Sequence, residues 1–269
     1  AGDELVQKLT VKGHGVLLSH FCARNIFLSM VYIRRKWLLS SFLTEKFQKN
    51  FLRGENLTDR AISPIISAGI AAQRGRKHMN IRLYAVQLDH PLTETERGAL
   101  ARFLPPRRQD RVKAPEVLCA YALLCRTLRD LYGWEGLPQL SYGEHGKPYF
   151  ASHPNVHFSL SHTRGAVLLA VHDEPVGADI ERLRPVSGAM RTRFHAANDA
   201  DFWRIWVQRE SRCKREGLSA VTLRDREVPS FPNERIFTLE PFHDYAAGVC
   251  TCSDADVDKL ICLTAQELI

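Results

Sequence analysis

The chain has no CxxC pair. Its seven cysteines form an odd, unpatterned set whose tightest spacing is the CxC of Cys250 and Cys252. That argues against a disulfide framework and the usual zinc-knuckle spacing. Cys119, Cys125 and Cys213 fall inside helical patterns, as expected of reduced thiols in a cytoplasmic protein. Long apolar runs are also missing: each breaks on Arg, Lys or His well before the roughly 20 residues a membrane-spanning helix needs. Low-complexity tracts and short-period repeats are absent, and glycine (16) and proline (13) are not enriched. What remains is an ordinary globular composition, 45% hydrophobic and 25% charged over 269 residues, enough to build a core in one or two domains.

The body of the chain also lacks a surplus of either charge. The formal net charge is +7, but residues 1–78 hold 13 basic and 5 acidic residues, whereas the remainder holds 24 basic and 25 acidic. A basic chain suggests a nucleic-acid partner only where the excess is general, so none is expected for the main body. In the basic segment, aromatic residues from Phe21 to Phe51 are mixed with aliphatics rather than set out as a stacking platform. The segment has neither a clear charged lead before its apolar stretch nor a small-residue cleavage site after it. Three readings stay open for residues 1–78: upstream sequence joined to a true start at Met79, an amphipathic arm on a membrane surface, or a small helical domain.

From Met79 the patterns sharpen. Ile81 to Val86 alternates as a strand. Thr93 and Glu96 form a capping box ahead of a short helix to about Leu104. Pro115 suits the first position of a second helix, whose residues Val117, Tyr121, Leu124, Leu128 and Leu131 share one face and which Gly133 ends. Strands are expected at 156–160, 166–171, 176–181, 235–239, 246–252 and 260–263, with another long helix from about Ala200 to Glu216. Strands grouped around two helices predict an α+β fold.

Three constellations carry chemistry. In Val176-Gly-Ala-Asp-Ile-Glu181, strand alternation sets Gly177, Asp179 and Glu181 on one face, with the two carboxylates roughly 6–7 Å apart at their bases. Such a pair repels itself unless a cation sits between, and hard oxygen ligands suit Mg²⁺. The competing reading is a solvated face with Glu181 paired to Arg182 or Arg184. On the second helix, Trp206, Glu210 and Lys214 form one stripe, although Glu followed by Lys four residues later is also a common surface ion pair. Lastly, Gly146-Lys147-Pro148 and His157-Phe-Ser-Leu-Ser-His162 place a lysine and a histidine among small residues, fit to hold phosphate or to form a hairpin turn and a strand end.

The ordered set GKPY, HFSLSH, GADIE and WxxxESxxKxxG resembles the 4'-phosphopantetheinyl transferases of the surfactin-synthetase-activating type, from Met79 to Ile269. The resemblance implies two similar α+β halves, 79–174 and 175–269, with the active site between them. It also implies a monomer that moves the phosphopantetheine arm of coenzyme A, with Mg²⁺, to a serine of an apo acyl or peptidyl carrier protein, releasing 3',5'-ADP. Carried over by position, Asp179, Glu181 and Glu210 match the metal-binding acids, and Glu210 and Lys214 the catalytic pair. Lys147, Pro148, Ser161 and His162 match coenzyme A contacts, joined by Arg107, Arg111, Lys113 and Arg126 for its nucleotide 3'-phosphate. Pro115, Glu116 and Val117 stand where relatives are often basic. Asp199 is the sole candidate for a further family acid. A catalytically silent coenzyme A-binding scaffold is the alternative, but such a protein has no need to keep Asp179, Glu181, Glu210 and Lys214 together.

Overall fold

The computed structural model describes residues 79–218, 228, 230, 231 and 233–269; the three readings of residues 1–78 lie outside them. Elements follow in chain order: β1 (Arg82–Gln87), α1 (Glu94–Ala101), a 3₁₀ turn (Pro106–Arg111), α2 (Pro115–Tyr132), β2 (Leu140–Tyr142), β3 (Pro148–Phe150), β4 (His157–Thr163), β5 (Ala166–His172) and β6 (Val176–Arg182). Next come α3 (Gly188–Arg193), α4 (Asp199–Glu216), β7 (Arg235–Leu239), β8 (Tyr245–Thr251), β9 (Ile261–Leu263) and a closing 3₁₀ turn (Gln266–Leu268). The fold is α+β, with no helix among the described residues long and apolar enough to cross a membrane.

A four-stranded sheet runs in the order β4-β5-β1-β9, antiparallel except for the β1–β9 pair. A three-stranded antiparallel sheet runs β6-β8-β7, and β2-β3 is a separate hairpin. Alternation along β1 and β5 explains the layering. Tyr84, Val86, Val167, Leu169 and Val171 join the core under α2. Leu83, Ala85, Ala166, Leu168 and Ala170 point the other way, into a second core with Val176, Ala178 and Ile180 of β6. Both faces of β5 are therefore buried, which is why its sequence reads as an unbroken apolar run.

Local signals account for the helix ends. The Thr93–Glu96 capping box is formed, with Thr93 N–H donating to Glu96 Oε2 at 2.7 Å and Glu96 N–H to Thr93 Oγ1 at 3.2 Å. That helix stops at Ala101, three residues short of the expected Leu104, because Pro105 and Pro106 pull the chain out early. In α2 the five-residue stripe is too narrow: Leu118 to Leu124 are buried without a break, since α1 and the closing 3₁₀ turn cover the flanks of the helix as the sheet covers its base. Gly133 ends it at φ 68°, a conformation open to glycine. The strands β2 and β3 and the short helix α3 carry no periodic signal; of these, the sequence offered the hairpin turn at Gly146-Lys147-Pro148, and it is formed between β2 and β3.

β4 and β6 are edge strands of different sheets, and side chains rather than a ladder join them. Ser159 Oγ accepts from Ala178 N–H at 2.9 Å, and Ser161 Oγ accepts from Ile180 N–H at 3.3 Å. Two outward N–H groups of β6, those of Ala178 and Ile180, are thus satisfied by hydroxyls.

Candidate active site

Two glycines bring the helix with Glu210 and Lys214 onto the strand with Asp179 and Glu181. A Cβ on Gly177 would stand 1.9 Å from Ser211 O and 2.3 Å from Arg215 N, both backbone atoms of α4. A Cβ on Gly248, which pairs with Asp179 across β6–β8, would stand 2.6 Å from Val207 O. Bare glycine faces let α4 lie almost on the sheet. Gly177 shares a strand face with Asp179 and Glu181, so the same surface that admits the helix meets its Glu210–Lys214 stripe.

Lys214 Nζ lies 2.6 Å from Asp179 Oδ1 and 2.6 Å from Ser161 Oγ, and Ser161 Oγ donates to Asp179 Oδ1 at 2.9 Å. The i,i+4 spacing suggests a Glu210–Lys214 surface pair; the ammonium instead crosses to the neighbouring strand. Asp179 is buried, and its Oδ2 has no hydrogen-bond partner among the described residues. Glu210 is 7% exposed, and its carboxyl is pushed up to about 7, first by burial and then by the Asp179 charge, against the pull of Lys214. Glu181 is raised in the same direction by burial and by Asp179. It accepts from Thr163 Oγ1 at 3.2 Å and from Arg184 Nη1 at 3.3 Å, so the expected Arg184 pair exists beside the acid cluster rather than in place of it.

Three carboxylates lie within each other's field: the Lys214 ammonium answers Asp179 and the Arg184 guanidinium reaches Glu181, while burial and the Asp179 charge work against ionisation of Glu210. The donor set is all hard oxygen, with Asp179 Oδ2 orphaned and Glu210 held partly protonated. That chemistry fits a cation such as Mg²⁺. Among the described residues no three such side chains already converge to ligating distance; Lys214 neutralises Asp179 directly.

The raised Glu210 carboxyl has a thermodynamic sign. The folded state holds its proton more tightly than the unfolded chain, so its contribution to stability is full below about pH 4.5 and falls as pH rises to about 7. Glu210→Gln removes this slope. In metal-free buffer the variant is expected to gain stability over the parent progressively between those pH values, as read from urea midpoints. A constant difference across the range would show that the cluster does not raise Glu210.

The remaining predicted site residues divide. His162 sits at the exposed end of β4, next to Ser161. Its ring is held below the usual histidine range by the protein around it and then by Lys214, with Arg108 and Arg111 acting in the same sense. Arg111, exposed and paired with Asp110, thus belongs to the His162 side of the molecule. Arg107 stacks over Tyr142 at 4.3 Å and, with Arg126, lines a separate cleft of about 800 Å³. Arg126 is occupied by Asp130 and the Glu267 carbonyl, at 2.8 and 2.9 Å. Lys113 is exposed, and its carbonyl accepts from Arg97. Pro148 opens β3 opposite Tyr142, and Lys147 Nζ donates to two backbone carbonyls. Asp199 pairs with Arg191 at the start of α4, eleven residues and so roughly 16 Å of helix from Glu210, too far to join the cluster. Sequence reasoning missed Gly248 and Thr163. Gly248 lay in a strand pattern where glycine is costly, and that cost was the available signal.

No family model matches the chain. Among curated proteins, it is 27% identical over 228 residues to the 4'-phosphopantetheinyl transferase Sfp of Bacillus subtilis strain 168, covering 70% of this chain and 100% of that protein. It is 32% identical over 151 residues to the 4'-phosphopantetheinyl transferase AcpT of Salmonella typhi, covering 49% of this chain and 76% of that protein. A third, AcpT of Escherichia coli K12, is 37% identical over 119 residues, covering 38% of this chain and 58% of that protein. These similarities, with an acid cluster and lysine assembled from the motif positions, establish that the chain belongs to the 4'-phosphopantetheinyl transferase family.

Proposed function

We propose that the chain transfers the 4'-phosphopantetheine group of coenzyme A to a serine of an apo acyl or peptidyl carrier protein and releases 3',5'-ADP. In this reading it is of the surfactin-synthetase-activating type, with residues 79–174 and 175–269 as its two halves and Mg²⁺ as its metal. The observation that carries the reading is the meeting of Asp179, Glu210 and Lys214 across β6 and α4. Residues from two separate motifs become one charged group in which both acids are buried.

Asp179, Glu181 and Glu210 would hold the metal, which when bound supplies charge neutralisation at the pyrophosphate. The serine oxygen attacks the β-phosphorus, and the bond from that phosphorus to the departing 3',5'-ADP oxygen breaks. Glu210, with its carboxyl near 7, is matched to take the serine proton directly or through water. Lys214 places a fixed positive charge beside the reacting phosphates. Ser161 orients both Asp179 and Lys214, and His162, with Arg108 and Arg111 in its field, offers an anion contact at the site's exposed end. Arg107 and Arg126 face the other cleft and are assigned no part here.

The test is incubation of the full chain with coenzyme A, Mg²⁺ and an apo carrier protein, read by intact mass. The expected result is a carrier heavier by one phosphopantetheine. Coenzyme A binding without any mass gain on acyl or peptidyl carriers would overturn the reading in favour of a silent scaffold.

A further inference from the structure

Resting on the proposed metal site, we infer that Lys147 is a positioning residue: it fixes the end of α4 against the start of β6 and thereby sets the distance between the two groups of acids. The resemblance places Lys147 among coenzyme A contacts. Its geometry gives it another task. The ammonium donates to Val176 O at 3.0 Å and to Arg215 O at 3.2 Å. Val176 opens the strand that carries Asp179 and Glu181; Arg215 directly follows Lys214 in the helix that carries Glu210.

The last turn of α4 shows why a side chain is needed there. Helix ends leave carbonyls without intrahelical donors. Here Leu218 N–H serves Cys213 O at 2.8 Å and Gly217 N–H serves Lys214 O at 3.2 Å, the closure of a helix that ends on a left-handed glycine at φ 66°. Neither of these bonds reaches Arg215 O, which Lys147 takes, bringing its positive charge to the negative end of the helix dipole. The lysine stem packs beneath the cap, with Cβ and Cδ 3.7 Å from the place a Gly217 side chain would start. Its own backbone is held firm: Gly143 N–H donates to Lys147 O at 2.9 Å, and Gly146 N–H to Gly143 O at 2.9 Å. A rigid turn, a short reach and two carbonyls on different elements make a strut. Asp179 lies three residues, about 10 Å, along β6 from one end of the strut, and Lys214 is one residue from the other.

A residue that orients metal ligands from outside the coordination shell shows itself in metal affinity, where loss costs about 10–100-fold. The test measures Mn²⁺ binding to the full chain by electron paramagnetic resonance without coenzyme A, together with kcat and KM for coenzyme A at saturating metal. Lys147→Met is expected to weaken Mn²⁺ at least about tenfold and to lower kcat, leaving KM for coenzyme A within about twofold. Lys147→Arg, which keeps charged donors, is expected to recover part of the metal affinity. Unchanged Mn²⁺ binding with a KM raised tenfold or more would overturn the inference and return Lys147 to the coenzyme A site. If Lys147→Met does not fold by circular dichroism, Lys147→Gln, which keeps an N–H donor at shorter reach, carries the same two readouts. Asp179→Ala separates the levels. Parent protein that binds Mn²⁺ only with Asp179 intact supports the metal site whatever Lys147 does; parent protein that does not bind Mn²⁺ ends both readings.

Discussion

Lys214→Met is expected to lower turnover about 10²–10³-fold, the loss that follows removal of one preorganised electrostatic contact, worth about 2.7–4 kcal/mol. Its consequence for the resting protein differs from that of losing an exposed helix ion pair, which costs about 0.3–0.5 kcal/mol. Its nitrogen is bonded to a buried carboxylate, and methionine leaves Asp179 with Ser161 as its remaining side-chain partner among the described residues. The variant is therefore expected to melt lower than the parent without metal and to recover most of the difference in Mg²⁺, since a divalent cation answers the same uncompensated charge. Turnover assays and thermal melts with and without Mg²⁺ check both parts. Near-normal turnover would mean that the ammonium balances Asp179 and nothing more.

Gly177→Ala is the second large effect, and it arises from one methyl group. The added carbon would stand 1.9 Å from Ser211 O, 2.3 Å from Arg215 N and 2.8 Å from Arg215 Cα. None of these atoms belongs to a flexible side chain, so α4 itself must lift. Overpacking costs about 1–3 kcal/mol and occasionally more; backbone on backbone places this case at or above the top of that range. For a domain of this size that lowers the melting temperature by roughly 6–12 °C. Activity is expected to fall with it, because α4 carries Glu210 and Lys214 away from Asp179. Gly98→Ala is the control: a Cβ there meets nothing within 4 Å, and in a helix alanine gains about 0.5–1 kcal/mol over glycine. If Gly177→Ala melts and turns over like the parent, the close approach of α4 to β6 is not the state of the protein in solution.

Regular elements were largely legible in the sequence because their signals are local. The β7 limits, 235–239, agree with the structure, and the three central strands and α4 agree within one to three residues. Alternation also sorted Asp179 and Glu181 from Ala178 and Ile180 correctly, since the latter two are core. Contacts chosen by tertiary structure were less legible. Helical spacing offers Lys214 the carboxylate of Glu210, yet Asp179 and Ser161 win because α4 lies so close to the sheet. Arg107, Arg111, Lys113 and Arg126 illustrate the same limit: cations on turns and helix flanks have no period to sort them, and the fold sends Arg107 and Arg126 to a different cleft from His162. The hairpin β2–β3 consists of three-residue strands, too short for any alternation to stand out.

The pair of hydroxyls between β4 and β6 also guards against the wrong partner. An edge strand with open N–H groups is a template on which another chain can grow a sheet, and β6 would offer the N–H groups of Ala178 and Ile180 for that purpose. Ser159 and Ser161 occupy them, and their two-residue spacing matches the period of the strand they face. A slip by one position would turn Phe158 and Leu160 toward β6 and lose both bonds at once. The same teeth set Ser161 against Asp179 and Thr163 against Glu181, so the device that keeps the sheet from recruiting a stranger is also the one that holds the acid cluster in register.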